Sequence, residues 1–340
     1  MSHAASASKI GPGNARGLRW RRRESARGFA RIQVTEAVLV RQNPEEPLML
    51  RNPERVWHGG TVATIDPAEV ERRIGATREP IEVLAGGLAN IHVRVGRDRV
   101  LRIQRDPSTL GKQIALLRQP WRWLRTPAVL ATSADFLLLE FLELRPLPAS
   151  AGEAVGRALA EIHAFTYDKT GHLDADLALA TPFPGDGTGG FAARGYGRYS
   201  LSEAAPYLDP GIGARIAAFL DSDEHAGRDA LDVPVLCHSD FKVSNLHTTP
   251  AGEVVVLDWE FAWAGPRLID IGQLLRWNPP PSFVQGFENG YRAGGGVLVD
   301  GWRRIAAAID LGSLLSVFAH NELARSTPDI ERRIAEIVAG

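Results

Sequence analysis

One run of eight residues, His238-Ser239-Asp240-Phe241-Lys242-Val243-Ser244-Asn245, constrains this chain more than any other stretch. The apolar run Val233-Pro234-Val235-Leu236-Cys237 precedes it and Val254-Val255-Val256-Leu257 follows, with the turn residues Thr248-Thr249-Pro250-Ala251-Gly252 in between. The pattern predicts two strands bracketing a polar loop. Asp258 stands where the second run ends, thirteen residues after Asn245. Asp240 is a carboxylate able to accept, or simply orient, a hydroxyl proton. Asn245 and Asp258 offer hard oxygen ligands, which suit Mg²⁺ better than zinc. Lys242 can place a point charge beside a transferring phosphoryl group, where charge stabilisation supplies much of a rate enhancement.

Asp and Asn are also common in ordinary turns, where they bond their own backbone. An aspartate at the end of an apolar strand is the context that an ordinary loop lacks. With it, H-x-D-x-K-x-x-N followed by a later Asp has the layout of a kinase catalytic loop. His238 reads as a hydrogen-bonded structural histidine that props the loop.

Leu236 to Gly272, LCHSDFKVSNLHTTPAGEVVVLDWEFAWAGPRLIDIG, resembles the catalytic core of the aminoglycoside phosphotransferase and choline kinase-like superfamily, small-molecule relatives of protein kinases. Asp258-Trp259-Glu260 in place of Asp-Phe-Gly, and the following Pro266-Arg267-Leu268-Ile269-Asp270, favour this superfamily over protein kinases. The resemblance implies an α+β, two-lobed protein-kinase-like fold with a small β-rich N-lobe, a larger mainly helical C-lobe, and ATP with Mg²⁺ in the cleft. It also implies that Asp270 braces the catalytic loop through hydrogen bonds.

The resemblance extends over roughly residues 78 to 320, weakening toward both ends. Ile81 to Val95 reads as strand, glycine turn and strand, because apolar residues alternate on both sides of Gly86-Gly87. It is similar to the phosphate-covering hairpin of the family, where glycine permits close backbone approach to phosphate oxygens. Val100-Leu101-Arg102-Ile103-Gln104 suits a third strand. Arg102 matches the family's phosphate-binding basic residue, with a planar fork for phosphate oxygens. The usual partner is a Glu on the next helix, and Gln113 stands at that position. Gln can hydrogen-bond a guanidinium without forming an ion pair, so either the brace is weaker or Arg102 is held differently.

Phe136-Leu137-Leu138-Leu139-Glu140-Phe141-Leu142 looks like the strand and hinge joining the lobes, with backbone groups of Glu140 and Leu142 as the expected adenine contacts. Ser150-Ala151-Gly152-Glu153 is a capping-box sequence. Val155, Leu159, Ile162 and Phe165 then recur at helical spacing and predict a buried helix, on which His163 reads as a packed or surface histidine. Gly185 to Gly190 matches G-x-G-x-x-G but follows Pro182-Phe183-Pro184 rather than a strand, which rejects a dinucleotide site and leaves a candidate substrate lid.

Composition agrees. At 340 residues with 44% hydrophobic content, about two lobes can form, and no stretch approaches the eighteen apolar residues of a membrane span. Cys237 is the only cysteine, so no intrachain disulfide can form; the expectation is a cytoplasmic enzyme with Cys237 as a buried small hydrophobe. Residues 1 to 31 carry eight Lys and Arg against one acid, a charge of +7, so the remainder is −8 for a total of −1. Such a tail is usually disordered; it could touch nucleic acid or an anionic membrane, or be translated sequence upstream of the natural start. The boundaries expected are a basic extension over 1–66, an N-lobe over 67–142 and a C-lobe over 143–340. Nucleic acid is not an expected partner of the enzyme, and the oligomeric state stays open.

From Phe165 through Asp240 there are twelve acidic residues against five basic ones, a bias that could favour a cationic substrate. Trp259, Phe261 and Trp263 could line its pocket, or could be core. The leading expectation is an ATP-dependent transfer of the γ-phosphate to a hydroxyl of an aminoglycoside, amino alcohol or sugar-like molecule. The alternative is a catalytically silent nucleotide-binding regulatory protein of the same fold, motivated by Gln113. A protein kinase fits less well, since no Ala-Pro-Glu follows Asp258.

Overall fold

A computed structural model describes residues 65–84, 90–104, 106–183, 193–222, 233–320 and 328–339. Gly86, Gly87, the glycine-rich segment 185–190 and nearly all of the basic extension lie outside these residues.

The chain enters through helix α1 (Pro67–Ile74), which starts where Asp66 accepts a hydrogen bond from the Ala68 N–H and Pro67 takes the first turn. This helix was not foreseen, although Asp-Pro is a helix-start signal. Strands β1 (Ile81–Leu84), β2 (Ile91–Val95), β3 (Arg99–Ile103), β4 (Val129–Thr132) and β5 (Phe136–Glu140) form an antiparallel sheet in the order β1-β2-β3-β5-β4. Alternation assigns its two faces. Val93, Val95, Leu101, Ile103, Phe136 and Leu138 join Ile65 and Val70 of the α1 region in one small core. Leu137 and Leu139 point the other way and join Leu110, Leu116 and Leu117 of helix α2 (Leu110–Leu117) in the main core.

The helical part contains α3 (Gly152–Ile162), α4 (Ala193–Ala204), α5 (Pro210–Asp221), α6 (Leu268–Leu275), α7 (Pro281–Ala293), α8 (Trp302–His320) and α9 (Pro328–Ala339). Val155, Leu159 and Ile162 of α3 are fully buried. Its start differs from the capping-box expectation: a 3₁₀ turn over Ala149–Ala151 leads in, and Ala151 caps without a side-chain bond. The Glu153 carboxylate instead pairs with Arg157 at 2.9 Å, one turn along. Helices α3 and α7 lie nearly backbone to backbone, since a Cβ on Gly156 would overlap the Phe287 carbonyl oxygen and one on Gly290 that of Glu153. A buried ion pair, Arg276 with Asp310 at 2.7 Å, ties the end of α6 to α8. Among the described residues no helix is long and apolar enough to cross a membrane.

The polar loop is not simply bracketed by the two predicted strands. Strand β9 (Val235–Cys237) pairs with β12 (Trp263–Gly265) in a four-stranded sheet with β7 (Gly171–Leu173) and β8 (Leu179–Pro182). After the loop, β10 (Leu246–Thr248) forms a hairpin with β11 (Val254–Val256) in register Leu246 with Val256, and the two-residue strand β6 (Arg145–Pro146) flanks β10. This hairpin folds Asp258 back beside the loop it follows in sequence.

Candidate active site

Helix α6 holds the loop 238–245. Asp270, with no exposed surface, accepts from the His238 N–H at 2.8 Å through Oδ2 and from the Ser239 N–H at 2.7 Å through Oδ1. Gln273, one turn later on the same helix face, accepts from the Phe241 N–H at 2.9 Å and donates to the Ser239 carbonyl at 2.9 Å. Four backbone groups of the loop are thus fixed by two side chains. Behind Asp270, His163 Nε2 stands 3.2 Å from its Oδ2, and His163 Nδ1 lies 2.7 Å from the Tyr291 hydroxyl. His163 is therefore a packed histidine, and its partners arrive from helices more than a hundred residues away in sequence. The close approach of α3 to α7 is what lets Tyr291 reach it.

His238 connects the loop to the strand that carries Asp258. Its Nε2 donates to the Leu257 carbonyl at 2.8 Å while its Nδ1 accepts from the Asp240 N–H at 3.3 Å, which places the ring proton on Nε2. Ser239 (φ 63) and Asp258 (φ 67) both adopt left-handed backbone, a conformation that persists where the surroundings enforce it.

Asn245 donates through Nδ2 to Asp240 Oδ2 at 2.7 Å and to the Asp240 carbonyl at 2.9 Å. This orients the amide so that its Oδ1 is the atom left to meet a cation. Lys242 Nζ lies 3.0 Å from Asp240 Oδ1. The Leu257 N–H donates to the Asn245 carbonyl at 3.0 Å, so Asp258 is adjacent to Asn245 in space. Asp240, Lys242, Asn245 and Asp258 therefore share one corner.

Arg102, buried on β3, reaches into that corner. Its Nη2 lies 2.6 Å from Asp258 Oδ1 and 3.3 Å from Glu260 Oε2. Glu260 also accepts from Asn90 Nδ2 at 2.8 Å. Burial pushes the Glu260 carboxyl up, and the Asp258 and Asp240 charges push the same way against the Asn90 hydrogen bond and the Arg102 charge. Lys112 is buried nearby, donates to the Ala262 carbonyl and is shifted down by burial, an effect the Glu260 charge opposes. His92, cross-strand from Arg102, is held down at about 4 by burial and then by the Arg102 charge.

Gln113 does not touch Arg102. It is fully buried, donates to Thr109 Oγ1 at 2.8 Å and accepts from Gln104 at 3.4 Å. A neutral amide finds those neutral partners, while the guanidinium takes the stronger charge-assisted bonds to carboxylates. The brace comes instead from Glu260, which sequence reasoning passed over although it stands two residues after Asp258. Asn90 and Gln273 were passed over as well.

At the expected hinge, the Glu140 carboxylate is committed to Arg125 at 2.7 Å and to the Ala128 N–H at 3.2 Å, and the Glu140 N–H donates to the Ala128 carbonyl. Leu142 is buried, and its backbone N–H meets no hydrogen-bond acceptor among the described residues. Trp259 and Trp263 are core, with Trp259 stacked on Trp121 at 5.7 Å; Phe261 is 57% exposed. Cys237 is buried against the Pro266 carbonyl.

A small antiparallel sheet placed against a larger helical part, with this corner where they meet, defines the two-lobed protein-kinase-like class. Solved structures share the fold. Macrolide 2'-phosphotransferase MphH from Brachybacterium faecium is 19% identical over 79% of this chain and 96% of its own, with a TM-score of 0.56. The streptomycin-ATP ternary complex of APH(2")-IIa is 13% identical over 82% and 97%, at 0.56. The GDP and kanamycin complex of APH(2")-IIia is 17% identical over 80% and 96%, at 0.58. No curated protein matches the chain. Residues 80–308 match the model of the phosphotransferase enzyme family, and the chain belongs to that family. Members of that family are phosphotransferases, enzymes that move a phosphoryl group.

Proposed function

We propose that this protein transfers the terminal phosphoryl group of ATP, with Mg²⁺, to a hydroxyl of a small cationic molecule such as an aminoglycoside or amino alcohol. The observation that carries the reading is the fixed pairing of Asp240 with Asn245 at 2.7 Å, on a loop braced by Asp270 and joined to Asp258 through the Leu257 N–H.

The acceptor oxygen attacks the γ-phosphorus, the bond to the bridging oxygen breaks, ADP leaves, and the hydroxyl proton passes to Asp240. Asn245 and Lys242 hold the two oxygens of Asp240, so the carboxylate is oriented before the acceptor arrives. The donor set of Asn245 and Asp258, an amide oxygen and a carboxylate, fits Mg²⁺, and the guanidinium against Asp258 already marks that position as one suited to positive charge. When bound there, the ion would neutralise charge developing on the phosphates. Arg102 provides a planar fork for phosphate oxygens, and the Leu142 N–H a donor for the adenine ring. Gly86 and Gly87 are the glycines proposed to contact the phosphates. The acidic excess between Phe165 and Asp240, and Phe261 exposed beside the corner, support a cationic acceptor.

The reading places residues 67–142 in the N-lobe and 143–340 in the C-lobe, and the enzyme in the cytoplasm, where its single cysteine stays reduced. The test is nucleotide turnover by the full chain with Mg²⁺, ATP or GTP, and a panel of aminoglycosides, amino alcohols and sugars. Acceptor-dependent ADP release that Asp240→Asn lowers at least a thousandfold supports it. Nucleotide binding without turnover across the panel supports the silent regulatory alternative.

A further inference from the structure

The cation on β3 is held from the opposite lobe. In the usual arrangement its partner sits on the following helix, but that position here is Gln113, turned to Thr109 and Gln104. Arg102 is instead shared by two carboxylates of a single 3₁₀ turn, Asp258 at 2.6 Å and Glu260 at 3.3 Å. Glu260 is well buried and receives a second N-lobe hydrogen bond from Asn90, which stands directly before β2. Trp259 between the two carboxylates is locked in the core against Trp121 and His238. The turn cannot rotate freely, so both carboxylates keep their directions.

The two contacts of Arg102 are not equivalent. Asp258 is 37% exposed at the mouth of the corner, whereas Glu260 is 13% exposed behind it. A cation that takes the guanidinium's place at Asp258 Oδ1 deprives Arg102 of that contact. Glu260 then remains the only carboxylate in contact with Arg102 among the described residues, and it keeps the guanidinium beside the site, with its remaining N–H groups free to turn to phosphate.

We infer that Glu260 is a positioning residue for phosphate binding: it takes the place of the missing helix carboxylate, retains Arg102 when the metal claims Asp258, and with Asn90 fastens the nucleotide-covering hairpin to the C-lobe. The inference rests on the proposed use of a metal-chelated nucleotide. It gives Glu260 no contact with the reacting atoms. Its effect is exerted through Arg102, and a double-mutant cycle isolates such an effect.

The experiment measures binding of a fluorescent ATP analogue with Mg²⁺ to the wild type, Glu260→Gln, Arg102→Ala and the double variant, with melting temperatures taken without nucleotide. Glu260→Gln keeps the shape and an acceptor for Asn90, which guards against simple unfolding. The expected result is a tenfold or greater loss of affinity in Glu260→Gln. In the Arg102→Ala background the same change should produce less than a twofold further loss. The apparent Mg²⁺ requirement of Glu260→Gln should rise severalfold, because Arg102 then competes for Asp258 alone, while KM for the acceptor stays within twofold. Equal losses from Glu260→Gln with and without Arg102 overturn the inference, as does unchanged affinity in the single variant. A wild type that binds no nucleotide overturns the proposed function itself.

Discussion

The catalytic loop and the Arg102 corner adjoin each other but are built from different interactions. The loop is held by short bonds that the Asp270 and Gln273 side chains make to its own backbone, deep in the protein. The corner is held by charges, Arg102 against Asp258 and Glu260, one of them at the edge of solvent. Backbone bonds that bury no exchangeable partner have nothing to trade, so the loop keeps one shape. An ion pair at a cleft mouth can exchange one cation for another at modest cost. On the proposed function, the arrangement fixes the groups that would be aimed at the reacting atoms and leaves adjustable the groups that would admit a nucleotide and its metal.

Breaking the loop should have the largest effect. Asp270→Ala leaves the buried His238 N–H and the half-buried Ser239 N–H without acceptors. At about 1–3 kcal/mol each, the loss is about 2–6 kcal/mol of stability, read from the urea midpoint at unchanged m-value. Turnover should fall by at least a hundredfold in whatever fraction remains folded.

Breaking the corner should separate function from stability. Arg102→Ala should weaken nucleotide binding about a hundredfold, roughly 2.7 kcal/mol, with a much smaller effect on the urea midpoint than Asp270→Ala. If Arg102→Ala unfolds the protein as readily as Asp270→Ala, the contrast between the two regions fails.

A finer test approaches the loop from behind. His163→Ala removes the group beside Asp270 Oδ2 and strands the Tyr291 hydroxyl, for a loss of about 1–2 kcal/mol. His163→Gln, which can still donate to Asp270, should recover part of that loss and most of the turnover.

A further effect is one of pH, and it belongs to the corner. His92 has its folded-state value lowered to about 4, below its ordinary 6.5, by burial and by Arg102. The unfolded chain therefore binds the proton first, and stability present above about pH 6.5 is lost as pH falls toward about 4. His92→Gln should flatten the dependence of the urea midpoint in that window.

How much the sequence disclosed depended on whether the cooperating groups were close together in the chain. Asp240, Lys242 and Asn245 fall within six consecutive positions, and Asp258 ends a recognisable apolar run, so their gathering in one corner could be read directly. Strands β1, β2, β3 and β5 showed themselves by apolar patterning. Glu260 was visible but had no role, because its partners Arg102 and Asn90 lie more than 150 residues earlier and meet it only in the fold. Gln113 was assigned by position along a helix, and the preference of a guanidinium for carboxylates overrode it. Gln273 and Tyr291 gave no signal, because neither lies in a recognisable motif and their partners meet them only in the fold. Strand β10 is only three residues long, too short to show a period, and the Ser150 capping box gave way to a 3₁₀ turn.

The central proposal is that Asn245 and Asp258 bind a metal-chelated nucleotide beside an Asp240 that Asn245 and Lys242 hold in place. Binding of Mn²⁺ with ATP, followed by the electron-spin signal of unbound Mn²⁺, tests it most directly. Asp258→Asn should bind the pair at least a hundredfold more weakly than the wild type, and Asp240→Asn should bind it within about threefold of wild type while failing to transfer phosphate. Wild-type affinity in Asp258→Asn would contradict the account.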